Sequence, residues 1–190
     1  MGSLLANEAV QKELGLEGAV LEKAKALSME YYVELQNVVP REPSGLHSLP
    51  FAEAVATQQR LVKQVRAAVA MVAASMKPRI QAALSVQQYQ RLQQIHWQAA
   101  GLTVLRDPEF APLLGISKEQ SARFAAIEKE YNDKLVATGE TTEGRGSIRD
   151  EAQSKMRQVL TPDQHEKWTQ LKGKEFDVAS LRNTRRNRRP

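Results

Sequence analysis

The chain has no cysteine among its 190 residues, which excludes disulfides, thiolate metal sites and cysteine nucleophiles. Aromatic residues are also scarce, at 5% of the composition. No apolar run approaches the roughly 20 residues that a membrane-spanning helix requires. The apolar residues are largely Ala, Leu and Val, which favour helix-on-helix packing over a sheet core. Because a chain of this length buries a core without metal or disulfide support, the composition predicts a soluble helical domain.

The net charge of +5 belongs to the C-terminal end of the chain. The segment from Arg182 to Pro190 contains five Arg and no acidic residue, and the rest of the chain is electrically balanced. Arg-rich ends can bind nucleic acids or anionic surfaces, but this one lacks the interleaved aromatics of a dedicated nucleic-acid reader. We therefore expect a basic, disordered tail over residues 178–190 and no specific nucleic-acid partner.

One short phrase occurs three times in the sequence. The copies are Leu84-Ser85-Val86-Gln87-Gln88, Ile116-Ser117-Lys118-Glu119-Gln120 and Leu160-Thr161-Pro162-Asp163-Gln164. Each places a Gln three residues after a Ser or Thr, which is the pattern of a capping box at a helix start. Such a cap stabilises a helix by about 1 kcal/mol. We therefore assign structural helix-capping roles to Ser85, Gln88, Ser117, Gln120, Thr161 and Gln164.

A second, longer repeat relates residues that are 100 positions apart. Leu14-Gly15 matches Leu114-Gly115, and Glu30-Tyr31 matches Glu130-Tyr131. Sustained agreement at a fixed offset indicates two homologous halves. The first half carries a degenerate copy of the phrase, Leu16-Glu17-Gly18-Ala19-Val20. This copy lacks the hydroxyl residue and the Gln, so the start of its helix should be less well defined. The expected division is a cloning remnant over 1–3, a first helical repeat over 4–101, a second over 102–177 that packs with the first as one domain, and the tail over 178–190.

The helical spacing of apolar residues, interrupted by glycines and prolines, predicts an all-α protein of elongated helical hairpins or a bundle, with no sheet. The longest predicted element begins at Phe51. The interior Pro78 is expected to kink or break that helix near Met76, because proline removes a backbone donor and clashes with the preceding turn. The Gly-rich, polar stretch 138–146 is expected to be a mobile loop.

Enzyme chemistry has little support in the sequence. Only His47, His96 and His165 have side chains that ordinarily titrate near neutral pH. None of them lies in a nucleophile motif such as G-x-S-x-G. We predict no catalytic residues, no enzyme activity and no cofactor.

Metal binding is not predicted either, because no His pair has the i, i+4 spacing of a helical zinc site. The residues leave open a site assembled across the two halves from His96, His165, Met76 and a carboxylate. The Gln-rich stretch from Gln87 to Gln98 is either a polar contact surface or simply an uncharged helix, since Gln is a good helix former.

The repeated Leu-Ser/Thr-x-x-Gln phrase, at the helix entries of a cysteine-free helical chain, resembles the Spy/CpxP-like family of periplasmic LTxxQ proteins. The closing stretch 160–171, followed by Gly173-Lys174-Glu175-Phe176, is similar to uncharacterised, duplicated members from planctomycete-type bacteria. The resemblance covers the chain from Leu4 to about Phe176. It implies long hooked helices, export to the periplasm with the signal peptide removed, and either ATP-independent chaperoning or envelope-stress and metal sensing. The chain departs from the family in its two copies of the unit and its balanced charge.

The leading expectation is therefore non-enzymatic, ATP-independent binding of unfolded or partly folded polypeptides in the periplasm. The candidate client-binding residues form an apolar stripe on the long helix: Val62, Val65, Val69, Val72 and Met76. Such a stripe is also typical of a bundle core, and only its exposed parts would mark a binding surface. An envelope stress or metal sensor and a structural interaction scaffold are the alternatives. Assembly is expected as a homodimer or as an intramolecular pseudo-dimer.

Overall fold

A computed structural model of the chain describes residues 1–41, 44–45, 48–107, 109–138 and 142–181. This part of the chain is helical and contains no β-strand, which confirms the predicted all-α fold class. None of its helices is both long and apolar enough to cross a membrane. The helices are α1 (Glu8–Glu13), α2 (Gly18–Val38), α3 (Phe51–Ala83), α4 (Val86–Ala100), α5 (Phe110–Leu114), α6 (Lys118–Thr138), α7 (Thr142–Val159) and α8 (Pro162–Lys172), with 3-10 segments at Gly2–Ala6 and Gly101–Arg106.

The chain divides into two compact units. The first unit comprises Met1–His96 together with the segment that begins at Asp177, and the second comprises Trp97–Phe176. The division therefore falls inside α4, slightly before the boundary expected from the sequence. Each unit contains one long antiparallel hairpin, α2 with α3 in the first and α6 with α7 in the second.

The first unit packs α2 against the N-terminal 3-10 segment and against α3. Gly2 is buried there, and a Cβ at this position would lie 2.7 Å from the ring of Tyr31. Residues 1–3, expected to be a cloning remnant, thus contribute to the packing of this unit. Its buried side chains include Leu5, Val10, Leu14, Leu16, Ala24, Leu27, Tyr31, Val72, Met76, Ile80, Leu84, Tyr89, Leu92 and Ile95.

The disordered tail predicted from residue 178 is wrong for residues 178–181. Ser180 N–H donates to the carbonyl of Asp177, and Leu181 N–H donates to that of Val178, so the chain forms turns here. The buried Asn7 also donates from Nδ2 to the carbonyl of Ser180 at 3.3 Å. No sequence pattern indicated this contact, because its partners are far apart along the chain. Residues 182–190, with the five Arg, lie outside the described residues.

The second unit has an apolar core built around Phe110 and Phe124, both completely buried. Trp97 packs edge-on against Phe110, with ring centroids 5.0 Å apart. Aromatic pairs in this geometry add to the stabilisation that burial alone provides. The other buried members of the cluster are Leu102, Val104, Leu105, Leu114, Met156, Leu160 and Trp168.

Two helix boundaries differ from those predicted. Of the kink or break expected at Pro78, the break does not occur, since α3 runs from Phe51 to Ala83; the kink stays a prediction. The buried residues Met76 and Ile80 flank this proline, so packing on both sides holds the helix across the missing hydrogen bond. The loop predicted over 138–146 is wrong from Thr142 onward, where α7 begins, and residues 139–141 lie outside the described residues. Gly144 and Gly146 thus lie in the first turns of α7 despite their low helix propensity.

The order of elements is the same in both halves of the chain. A 3-10 segment, a short helix, a 21-residue helix (α2 or α6), a second hairpin helix and a capped helix follow one another twice. Glu30 pairs with Arg79 in the first hairpin, and Glu130, 100 positions later, pairs with Lys155 in the second. Arg79 and Lys155 each lie six residues before the Ser or Thr of the phrase that follows them. The origin of these halves by duplication stays a prediction.

The second hairpin is closed by a ring of alternating charges. Lys134 and Lys155 each bind both Glu130 and Glu151, with nitrogen-to-oxygen distances of 2.6–3.0 Å. All four side chains are partly exposed. The ring therefore fixes the register of α6 on α7 more than it stabilises the fold.

Acid should weaken this ring through Glu151, whose pKa is lowered to about 2 by hydrogen bonds from Lys134 and then Lys155. A carboxylate with a lowered folded pKa stabilises the fold above its unfolded pKa of about 4.3, and the stabilisation disappears as the pH falls toward the folded pKa. We expect wild type to melt at a higher temperature than Glu151→Gln at pH 7, and the two to converge near pH 2, measured by scanning calorimetry.

The control is Glu175→Gln, which removes an exposed carboxylate outside the ring. It should leave the melting temperature at pH 7 unchanged. A Glu151→Gln difference that stays constant between pH 7 and pH 2 would contradict the role given to this carboxylate.

Candidate polypeptide-binding surface on the long helix

The five residues predicted to bind clients lie on one stripe of α3, but they differ in exposure. Val62 and Val69 are 40% and 36% exposed, and Val65 is half-buried. Val72 and Met76 are buried at 2% and 0%. Only the first three therefore belong to an accessible surface in this conformation. Their client-binding role stays a prediction.

Val62 and Val69 lie in a part of α3 that extends beyond the helix that pairs with it. Glu34 accepts a hydrogen bond from Ser75 Oγ at 2.9 Å and lies 3.2 Å from Arg79, which sets the antiparallel register of α2 on α3. In this register the last residue of α2, Val38, lies at the level of Met71. Residues 51–70 of α3 therefore extend about 30 Å beyond the end of α2. We call residues 51–70 the overhang.

The overhang carries an apolar face that has no helix of the first hairpin across from it. Val55, Leu61 and Val65 on this face are half-buried, at helical spacing with the exposed Val62 and Val69. A helix whose apolar face lacks a partner helix is a typical site of protein interaction. The overhang is thus the best candidate for a binding surface in the first unit.

The second hairpin offers no comparable surface among its described residues. The contacts of Lys134 with Glu151 and of Glu130 with Lys155 place the end of α6 only about one and a half turns short of the start of α7. In addition, the outer face of α6 carries an ion pair between Lys129 and Asp133. This hairpin is therefore paired over nearly its whole length.

The charges of the overhang after its first turn have one sign. Arg60, Lys63 and Arg66 are exposed along it, and α3 contains no acidic residue after Glu53. Basic residues beside an apolar stripe attract acidic segments at a distance and then allow apolar contact. These charges could be read from the sequence. The exposure of the apolar stripe could not, because it depends on where α2 ends.

All three repeated phrases form the predicted capping boxes. In each, the Gln N–H donates to the Ser or Thr oxygen at 3.1–3.3 Å. In return, the N–H of the Ser or Thr donates to the Gln Oε1 at 3.0 Å. The capping roles of Ser85, Gln88, Ser117, Gln120, Thr161 and Gln164 are therefore confirmed.

The Gln side chains also make contacts that the sequence did not predict. Gln120 donates to the carbonyl of Val159 at 2.9 Å, and Gln164 donates to the carbonyl of Gly115 at 3.1 Å. The two amides hydrogen-bond to each other as well, at 2.7 and 3.0 Å. Each phrase thus caps its own helix and also binds the backbone that leads into the other phrase. We call this arrangement the paired-glutamine tie.

The first unit has only half of this arrangement. Gln88 donates to the carbonyl of Leu14 at 3.1 Å. The position that would hold its partner is Val20, three residues after the N-cap Glu17, which makes no side-chain capping bond. The degenerate copy of the phrase therefore lacks side-chain capping bonds at the start of α2, as the sequence predicted.

The histidines do not form a catalytic or metal-binding arrangement in the described residues. His165 lies on the surface with Nε2 3.0 Å from the carbonyl of Arg157. His96 is half-buried on α4, and His47 lies outside the described residues. No cluster of three His, Asp or Glu side chains able to hold a metal ion occurs in the part of the chain that the structure describes.

Comparison with known proteins does not place the chain in a family. Family models, curated proteins and solved structures all yield no match. Function is therefore inferred from the geometry of α3.

Proposed function

We propose that the protein binds unfolded or partly folded polypeptides on the overhang of α3, without nucleotide and without chemical catalysis. The observation that carries this proposal is the length of α3, which leaves its apolar face without a partner helix for about 30 Å. Val62 and Val69 are exposed there, one helical turn before and one after the basic Arg66.

The mechanism that this surface supports is reversible capture. Basic side chains raise the rate of encounter with acidic stretches of a client. Val62, Val65 and Val69 then cover apolar client segments that would otherwise aggregate, and each buried side chain contributes roughly 1–2 kcal/mol. Release follows when the client folds and buries those segments itself, so no energy source is required.

The proposal extends to the origin of the two units and to the location of the protein in the cell. The three capping boxes, the repeated order of elements and the matched ion pairs support an origin of the two units by duplication. The LTxxQ-type phrases support kinship with Spy/CpxP-like proteins and, with it, a periplasmic location.

A direct test is the light scattering of a denatured client diluted into buffer with stoichiometric protein and no nucleotide. We expect wild type to suppress aggregation and the double variant Val65→Asp, Val69→Asp to lose most of that suppression, because the apolar stripe is interrupted. The matched control is Ala67→Asp, Ala70→Asp, which places the same charges on exposed positions of the opposite face of α3. Circular dichroism verifies that both variants fold.

Two outcomes would reject the proposal. One is the absence of suppression across several clients of different size and charge. The other is equal loss of suppression in the two double variants, since that would show an effect of charge alone and not of the stripe.

A further inference from the structure

The apolar stripe of α3 does not end where its exposure ends. Val72 and Met76 continue it at helical spacing from Val65 and Val69, but they are buried at 2% and 0%. They lie in the part of α3 that α2 covers, as the contacts of Ser75 and Arg79 with Glu34 show. Movement of α2 away from α3, together with the N-terminal 3-10 segment that packs on it, would therefore lengthen the exposed stripe by more than one turn.

The start of α2 is held more weakly than the start of α6. Helix α6 begins with the complete box of Ser117 and Gln120 and is held further by the paired-glutamine tie. The N-cap residue of α2, Glu17, makes no side-chain capping bond, and the first helical residue, Gly18, has a φ of 51°. Val20, at the position of Gln120, has no side-chain amide that could bind the backbone leading into α4.

The interior of α2 contains a further weakness. Ser28 is buried at 2%, and its Oγ has no hydrogen-bond partner in the described part of the chain. A buried hydroxyl without a partner disfavours the closed packing, because opening returns it to water. The position that corresponds to it in α6 is Glu128, which is only partly buried.

The polar contacts of the described residues are also arranged differently in the two hairpins. Glu30 and Glu34 share one Arg79, and Ser75 donates a single hydrogen bond to Glu34. In the second hairpin four charged side chains form a closed ring. Exposed ion pairs of this kind contribute little individually, but the pairs of a closed ring must break together when α6 leaves α7.

We propose that α2 is a lid on the client-binding stripe: it opens from α3 more readily than α6 opens from α7, and opening adds Val72 and Met76 to the binding surface. This proposal rests on the proposed function, since it describes how that same surface is regulated. A client that binds the open form shifts the population toward it. Clients with longer apolar segments gain the most affinity from opening, because their segments reach Val72 and Met76.

The test combines hydrogen exchange with client binding. In wild type, the amides of α2 should exchange at least about tenfold faster than those of α6. The double variant Glu17→Ser, Val20→Gln restores a capping box, and we expect it to slow exchange in α2 about fivefold. Because less of the open form is then available, affinity for a denatured client should fall by a similar factor.

A second variant, Ser28→Ala, tests the same idea without altering the helix start. Removing the hydroxyl without a partner should also slow exchange in α2 and lower client affinity. Equal protection of α2 and α6 in wild type would overturn the lid. So would slower exchange in both variants with unchanged client affinity. Absence of any client binding would instead reject the proposed function, and the exchange rates would still decide whether α2 opens.

Discussion

Replacing Phe110 with alanine is expected to destabilise the second unit by about 3–5 kcal/mol, more than any other substitution proposed for this chain. Phe110 is completely buried, and its ring packs edge-on against Trp97. Truncation removes the apolar contacts of the ring and leaves a cavity between elements that are held in place by the rest of the core. Few positions in the chain combine a side chain of this size with complete burial.

The measurement is urea unfolding followed by tryptophan fluorescence. The chain has two tryptophans, Trp97 and Trp168, and both lie in the core of the second unit. Fluorescence therefore reports on that unit alone, and far-UV circular dichroism reports on the whole chain. Leu113→Ala is the matched control, because Leu113 is on the same short helix but 44% exposed. It should cost less than about 1 kcal/mol, and an equal loss in the two variants would contradict the assigned core.

Replacing Gln164 with leucine is expected to cost about 2–3 kcal/mol in the same assay, because each of the lost hydrogen bonds contributes about 0.5–1.5 kcal/mol. Leucine keeps the approximate shape but loses the hydrogen bonds to Thr161, Gly115 and Gln120. Gln170→Leu, on an exposed position of the same helix, is the control and should change the free energy of unfolding by less than about 0.5 kcal/mol.

A double-mutant cycle with Gln120→Leu isolates the paired-glutamine tie from the two capping boxes. The two amides hydrogen-bond directly, so their effects should not add, and a coupling of about 1 kcal/mol is expected. A coupling close to zero would show that each Gln acts only as a cap for its own helix. The structural role of the repeated phrase would then be limited to local capping.

The local part of this structure could be predicted from the sequence. Ser117 and Gln120 are close in the chain, so their capping box follows from spacing alone. The tie from Gln120 to Gln164 was not predictable in this way, because it depends on two phrases meeting in three dimensions. The helical start of α7 was also missed, because the low helix propensity of Gly144 and Gly146 favours a loop.

The candidate surface was predicted only in part. The apolar stripe from Val62 to Met76 follows from helical periodicity, but periodicity does not say which part of a stripe is covered. That depends on the register of α2 on α3, which contacts of Glu34 with Ser75 and Arg79 determine. Once the register is known, Val65 and Val69 lie on the overhang and Val72 and Met76 lie under α2.

Binding of clients to the overhang of α3 is tested most directly by valine methyl NMR with a permanently unfolded polypeptide. We predict that the methyl signals of Val55, Val62, Val65 and Val69 shift or broaden on addition of client. Those of the valines in the second unit, such as Val104, should stay unchanged. Perturbation centred on the second unit, or no perturbation at stoichiometric client, would contradict binding at the overhang.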